Sequence, residues 1–249
     1  MPEPNDQPYE STFGSMPFLE HLEELRRRLI RCVIAVVIMA VAALYFSNEL
    51  MHLIIKPMGD TPLHNIQVTG TFVAYMKVSL ITGVVAALPI IFYQMWAFVA
   101  PGLYRREKSA ILPLIFISTL LFAIGGVFCY MVVLPIALNF LIGFGGEEII
   151  DTITISSYIN FAGLMILAFG FSFQMPILAY FLGKMGIVSA SFLGKGRRYA
   201  VVIILAVGAI ITPPDVFSQV LLAVPLYFLY EISIIVVRIV QPKRKMLEE

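Results

Sequence analysis

The chain has 249 residues, of which 59% are hydrophobic and only 13% are charged, and its mean hydropathy is +0.90. A soluble domain of this length could not cover so much apolar surface with so few charges, so the composition indicates an integral membrane protein. The formal net charge of +1 gives no indication of nucleic-acid binding. Cys32 and Cys129 lie within apolar runs, which argues against a disulfide framework.

The first segment, residues 1–16, is polar and rich in proline, serine and acidic residues. It lacks a basic region followed by an apolar core, so it does not have the pattern of a cleaved signal peptide. We expect a disordered cytoplasmic tail there, followed by a membrane domain over 17–240 and a second cytoplasmic tail over 241–249.

The membrane domain opens with an amphipathic pattern. Four apolar residues are spaced four, three and four positions apart: Phe18, Leu22, Leu25 and Leu29. This spacing predicts one face of a helix that lies in the cytoplasmic interface and leads directly into the first span. Glu24 is expected to pair with Arg27 or Arg28, three or four residues further along the same helix.

Six apolar segments are predicted to cross the bilayer as helices, since a helix needs about 20 residues to span the hydrocarbon core. Their approximate ranges are 29–46, 72–99, 111–142, 158–182, 199–212 and 217–237. The third is long and contains Pro113 and Pro135, so we expect its ends to bend. The predicted fold class is an all-α integral membrane protein with six transmembrane helices.

The last two helices are expected to be short. The fifth span has 14 residues, which gives a helix of about 21 Å against a hydrocarbon core of about 30 Å. The turn Pro213-Pro214-Asp215 is too short for anything but a tight hairpin between spans five and six. This pair is therefore expected to leave the bilayer thinner on one side.

The distribution of basic residues predicts the orientation in the membrane. Of the 17 basic residues, 15 lie in the N-terminal flank, the second loop, the fourth loop and the C-terminal tail. The other connections carry acidic residues instead, with Lys56 in the first connection and Lys77 just inside the second span as the remaining basic residues. Because basic residues are retained in the cytoplasm, both termini are predicted to be cytoplasmic.

Two polar residues interrupt the later spans. Gln174 precedes Pro176 in the fourth span, and Glu231 lies near the cytoplasmic end of the last span. Such groups usually face the protein interior or a wet cavity, because a buried amide or carboxylate needs hydrogen-bond partners. From these residues alone, contacts between helices are the favoured interpretation.

The sequence contains no pattern typical of an enzyme. The three histidines, His21, His52 and His64, do not have metal-ligand spacing, and no nucleotide-binding glycine pattern is present. We therefore expect no catalytic residue, no metal and no cofactor.

Three motifs, which extend over nearly the whole chain, resemble those of the TatC family, the polytopic core of the twin-arginine protein translocase. They are His21-Leu-x-Glu24-Leu-Arg26, Tyr93-Gln-x-Trp96-x-Phe98-x-x-Pro101-x-Leu-Tyr104-x-x-Glu107 and Thr212-Pro-Pro-Asp215-x-x-Ser-Gln219. Six helices with both termini in the cytoplasm are also what this family has.

The resemblance implies a receptor in the bacterial cytoplasmic (inner) membrane for folded proteins whose signal peptides carry consecutive arginines. The acids that match the family's recognition patch are Glu24 and Glu107, and two guanidinium groups call for such carboxylates. The matching motifs add His21, Arg26 and Phe98 to the expected signal-peptide site. Glu23 is an additional acid beside Glu24.

The resemblance also implies partners. The family works with single-span proteins of the TatA and TatB type, within a larger complex that contains several copies, and its transport is powered by the proton-motive force. The residues expected to contact a partner helix are Gln174, Pro176 and Gln219. Those expected to form the turn at the far side are Pro213, Pro214 and Asp215. The family often has a glutamate where this chain has Gln174.

Two other functions remain open from the residues themselves. A secondary transporter for a small solute could use Gln174, Asp215 and Glu231 as a polar pathway, although no repeat relates the two halves. A passive scaffold that organises other membrane proteins is the other alternative. A receptor should have its functional acids at the cytoplasmic face, whereas a transporter should have them at the middle of the bilayer.

Overall fold

The computed structural model describes residues 18–59, 61–99, 111–143, 152–211 and 215–241. The described residues form ten α-helices: α1 (Phe18–Tyr45), α2 (Ser47–Ile55), α3 (Gly70–Val99), α4 (Ile111–Phe128), α5 (Leu134–Gly143), α6 (Ile155–Ser172), α7 (Met175–Lys184), α8 (Ala190–Lys195), α9 (Arg197–Ile211) and α10 (Val216–Val240). In this part of the chain the only β-type pairing is an isolated bridge between His64 and Thr154. The all-α prediction is confirmed.

Five helical stretches are long and apolar enough to cross a membrane. They are α1, α3, the α4–α5 stretch, the α6–α7 stretch and α10. The fifth predicted span corresponds to α9, which has 15 residues and is therefore about 22 Å long. It is short, as expected.

The expectation of a short last helix is corrected. α10 has 25 residues, which is long enough to cross the bilayer. It begins directly after Asp215, whose Oδ1 accepts a hydrogen bond of 2.6 Å from the Ser218 amide. Pro225 lies inside this helix without ending it, and the helix continues to Val240.

The amphipathic segment and the first span form one continuous helix, α1. No glycine or proline occurs between Phe18 and Tyr45, so nothing breaks the helix at the membrane surface. α1 packs almost entirely against α3. Only 11% of the 18-residue apolar stretch of α1 is buried, against 33–39% of the corresponding stretches in the other four spans. Most of α1 is therefore open to lipid.

The contact between α1 and α3 depends on a glycine. A Cβ atom added at Gly83 would lie 2.6 Å from the backbone Cα and N of Ala40. Real side chains do not approach so closely, so only glycine lets the two helices touch here. This contact fixes the distance between α1 and α3 in the middle of the membrane.

Prolines reshape two other spans. A π-helical turn, Cys129–Val133, separates α4 from α5 and directly precedes Pro135. Proline has no N–H to donate to the preceding turn, and the wider turn adjusts the backbone to that loss. The fourth span breaks at Phe173 and Gln174, and Pro176 lies at the start of α7.

Backbone hydrogen bonds anchor the described part of the first extracytoplasmic connection. The His64 amide donates to the Ile153 carbonyl at 2.9 Å, and the Ile155 amide donates to the His64 carbonyl at 3.1 Å. Tyr130 donates its hydroxyl to the Leu53 carbonyl at 2.7 Å, which ties the end of α2 to the π turn. These hydrogen bonds hold the first connection against α4 and α6.

Candidate functional site

The cytoplasmic end of α1 carries a linked row of polar side chains. Arg28 Nε donates to Glu24 Oε1 at 2.9 Å, and its Nη2 donates to the same oxygen. The remaining Nη1 of Arg28 donates to Gln94 Oε1 on α3 at 3.2 Å. Gln94 is buried, so Arg28 is held from both sides and Glu24 is held through Arg28.

The Glu24 carboxylate has one oxygen engaged and one free. Its Oε1 accepts both bonds from Arg28, whereas its Oε2 is buried and has no hydrogen-bond partner. A buried carboxylate oxygen without a donor is costly, and a donor supplied by a ligand would relieve that cost. Oε2 therefore has unused acceptor capacity, which a ligand could satisfy once it displaced the atoms that cover this oxygen.

A second ion pair on α1 differs from the first in its exposure. Arg27 Nη2 lies 3.0 Å from Glu23 Oε1, with the two side chains 66% and 59% exposed. In the Arg28–Glu24 pair the side chains are only 19% and 24% exposed. Exposed pairs of this kind contribute little, because water competes for both charges.

A groove of about 510 Å³ runs along this face of α1. The described residues that line it are all charged: Glu20, Glu23, Glu24, Arg27, Arg28 and Arg31. Glu24 is its least exposed acid, and is the one with the free oxygen. The groove could accept a basic segment that places one guanidinium group at Glu24.

The structure brings together two more of the predicted site residues. The ring of His21 stacks on that of Phe98, with centroids 4.3 Å apart and an angle of 15° between the planes. This contact joins the start of α1 to the end of α3, directly beside the polar row. Arg26 is exposed on the same part of α1.

Trp96, in the same motif as Phe98, has a structural role. It is 3% exposed, its Nε1 donates to Ser118 Oγ on α4 at 3.1 Å, and its ring packs edge-on against Phe181 on α7. It fastens α3 to α4 and α7 beneath the site. Glu107, Pro213 and Pro214 lie outside the described residues.

Gln174 is buried at the break between α6 and α7, with only 5% of the residue exposed. Its Nε2 donates to the Ser118 carbonyl at 2.8 Å, while its Oε1 is buried without a partner. Ser118 thus contacts Trp96 through its hydroxyl and Gln174 through its carbonyl. Pro176 lies two residues further on, in the first turn of α7.

Gln219, the third residue expected to contact a partner helix, is engaged within the chain. Its Nε2 donates to the Leu205 carbonyl at 2.8 Å, which ties α10 to α9. At the other end of the same helix pair, Arg197 binds both carboxylate oxygens of Glu231, at 2.7 and 2.9 Å, and Tyr227 donates to Glu231 at 3.0 Å. Side chains therefore fix α9 to α10 near both ends.

The sequence did not predict that Gln94 and Arg197 hold pairs of helices together. In the sequence, Gln94 is one position of the Tyr93-to-Glu107 motif and has no separate role. Arg197 is one of the basic residues of the fourth loop. The motif itself was the signal for Gln94. Nothing in the sequence paired Arg197 with Glu231, which lies 34 residues away.

Comparison with known proteins agrees with this architecture. A family model described as Sec-independent protein translocase protein (TatC) matches residues 20–225. A relative of that name from Desulforapulum autotrophicum is 43% identical over 94% of this chain and 88% of its own length. The one from Escherichia coli is 39% identical over 96% of this chain and 95% of its own length.

A solved structure gives the same result in three dimensions. The crystal structure of a twin-arginine translocase receptor, TatC, superposes with a TM-score of 0.81. It is 41% identical in sequence and covers 88% of this chain and 99% of its own. The sequence motifs, the helical architecture and these matches all agree, and the chain belongs to the TatC family of Sec-independent protein translocase proteins.

Proposed function

We propose that this membrane protein is the receptor and core component of a twin-arginine translocase, and that it binds twin-arginine signal peptides of folded proteins at its cytoplasmic face. The observation that supports this most directly is the half-buried Glu24 carboxylate, with Oε1 held by Arg28 and Oε2 free. A signal-peptide guanidinium group would donate to Oε2 from the groove. Glu107 is the proposed acceptor for the second arginine.

The chemistry of the site favours arginine over lysine. A guanidinium group presents several N–H donors in a fixed plane and is more weakly hydrated than an ammonium group, so it binds partly desolvated carboxylates better. Glu24 is partly desolvated, since its side chain is 24% exposed. His21 and Phe98 form an aromatic surface beside it, on which the rest of the peptide would pack.

The location of the acids supports a receptor rather than a solute transporter. Among the described acids, Glu20, Glu23 and Glu24 lie at the cytoplasmic end of α1, and Glu231 pairs with Arg197 at the cytoplasmic end of α9. Asp215 caps α10 at the opposite surface. Glu231 lies inside the last span, but Arg197 and Tyr227 already bind its carboxylate, so it is not free to bind a transported solute.

The proposal includes partners of the TatA and TatB type, transport driven by the proton-motive force, and several copies of the chain in one complex. The α6–α7 break and its neighbour α9 are the proposed surface for a partner helix. In its favour, the break interrupts the regular helical surface, and Gln174 keeps one buried oxygen without a donor.

Site-specific photo-crosslinking tests the receptor function. Probes placed at positions 24 and 107 should form adducts with a peptide that carries an Arg-Arg signal, and the adducts should fade with a matched Lys-Lys peptide. Equal adducts with both peptides, or none at either position, would reduce Glu24 and Glu107 to ordinary surface acids. The transporter hypothesis would then have to be considered again.

Gln174→Leu is expected to weaken association with a single-span partner more than it weakens signal-peptide binding. The leucine cannot donate to the Ser118 carbonyl, so the α6–α7 break repacks, while Glu24 and its contacts are left in place. Pull-down of the partner and peptide binding should be measured on the same preparation. Gln174→Glu, which keeps a polar group there, is the matched control; equal loss of both activities in Gln174→Leu would contradict the prediction.

A further inference from the structure

Lys77 is a basic residue in the half of the membrane where the positive-inside rule disfavours one. It lies seven residues after the start of α3 at Gly70, which is about 10 Å along the helix axis. It belongs to an apolar span and is partly buried. An ionisable residue inside a span needs a compensating partner, and usually marks a functional site.

The described part of the chain supplies Lys77 with a neutral partner only. Lys77 Nζ donates to Asn160 Oδ1 on α6 at 2.8 Å. The ion pairs among the described residues are Arg27–Glu23, Arg28–Glu24 and Arg197–Glu231, all at the cytoplasmic side. An ammonium group has three N–H donors, so two of those on Lys77 are left for a ligand, and no described carboxylate neutralises its positive charge.

The surface around Lys77 is apolar and open. Met76, Leu80 and Leu164 are 44%, 52% and 45% exposed, and they lie on α3 and α6 next to Lys77 and Asn160. In a bilayer such a surface is covered by acyl chains. A neutralising group that reaches Lys77 from the bilayer would bring acyl chains with it.

A polar pocket opens beyond this surface, at the same end of α3 and α6. It holds about 300 Å³ and is lined mainly by amide and hydroxyl side chains: Asn65, Gln67, Thr154, Ser156 and Ser157, with the backbone of Gly70 and two isoleucines. Ser157 precedes Asn160 by three residues and so shares its face of α6. These neutral donors and acceptors suit a hydrated, hydroxyl-rich head group better than a second protein helix.

We propose that Lys77 and Asn160 form a binding site for the phosphate of a phospholipid in the extracytoplasmic leaflet. The lipid phosphate accepts hydrogen bonds from the free donors of the Lys77 ammonium group and from the Asn160 amide. The acyl chains cover Met76, Leu80 and Leu164, and the head group points into the polar pocket. The site is remote from Glu24, so it does not depend on the proposed receptor function.

Lipid titration of the purified full-length protein tests the site. The protein is delipidated in detergent, and binding of phosphatidylglycerol is followed by native mass spectrometry and by the shift of the thermal unfolding midpoint. Lys77→Gln should weaken phosphatidylglycerol binding by about fivefold, since a lysine near lipid phosphates contributes about that factor. Lys77→Arg should retain binding, because the charge and the donors remain.

Lys56 provides the matched control. It lies at the end of α2 on the same side of the membrane, so Lys56→Gln changes the net charge there equally and should leave phosphatidylglycerol binding unchanged. Lys77→Met, which keeps an apolar stem, should behave as Lys77→Gln does. Lys77→Gln, Lys77→Arg and Lys77→Met should all keep the unfolding midpoint of the lipid-free protein.

Three results would overturn the proposal. The first is equal phosphatidylglycerol binding by Lys77→Gln and the unsubstituted protein. The second is Lys77-dependent binding of an uncharged galactolipid as strong as that of phosphatidylglycerol, which would exclude recognition of a phosphate. The third is an equal Lys77-dependent shift with inorganic phosphate alone, which would identify a site for free phosphate instead of a lipid.

Discussion

Glu24→Gln is expected to weaken binding of an Arg-Arg signal peptide by about tenfold to a hundredfold. The amide keeps the size of the carboxylate but loses its charge, and a hydrogen bond to a charged group contributes about 1.5–3 kcal/mol. Oε2 of Glu24 is the acceptor that has no partner within the described structure, so the ligand loses its best partner. Peptide affinity can be measured by fluorescence anisotropy on the purified protein at fixed ionic strength.

The neighbouring pair supplies the control for this experiment. Glu23→Gln removes the same charge from the same helix, but Glu23 and Arg27 are both largely exposed. It should change peptide affinity by less than about threefold, because exposed charges are screened by water and salt. Equal losses in the two variants would mean that the groove attracts arginine by overall charge and that Glu24 has no special part in binding.

Gly83→Ala is expected to destabilise the protein by about 1–3 kcal/mol, the usual cost of an overpacked contact, and to weaken signal-peptide binding as well. The new Cβ would lie 2.6 Å from the Ala40 backbone, so α1 must move away from α3. That movement separates Arg28 from Gln94 and His21 from Phe98. The thermal unfolding midpoint and the affinity for the signal peptide should therefore both decrease.

Gly126→Ala on α4 is the matched control for this prediction. A Cβ at Gly126 would lie 3.6 Å from the Ile166 side chain, an ordinary contact, so the substitution should be tolerated. Alanine also favours the helix over glycine, which offsets any small loss of packing. If Gly83→Ala left both the unfolding midpoint and the peptide affinity unchanged, the glycine contact would not determine the position of α1.

The helical architecture could be predicted from the sequence because the requirements for crossing a bilayer can be read from each segment alone. A bilayer demands long apolar runs, and basic residues report the cytoplasmic side without any knowledge of packing. The motifs also placed His21, Glu24 and Phe98 together in one site, and the structure joins α1 to α3 at these residues. Their proposed role in peptide binding stays a prediction.

What the sequence did not predict depends on contacts between distant residues. The break of the fourth span at Gln174 arises where Pro176 and the hydrogen bond to Ser118 act together. The Arg197–Glu231 pair requires α9 to lie against α10, which neither residue indicates alone. The predicted last span also ends three residues too early, at residue 237, because the charged Arg238 interrupts the apolar run while the helix continues to Val240.

The length of α1 makes the thickness of the bilayer part of recognition. Its 28 residues extend about 42 Å, whereas the hydrocarbon core is about 30 Å thick, so roughly a quarter of the helix rises above the lipid on the cytoplasmic side. Glu24 lies on that rising part, and α1 is held almost entirely by α3, with most of its surface open to lipid. A thicker membrane would draw Glu24 down among the lipid head groups, and the same signal peptide would then meet a different dielectric environment.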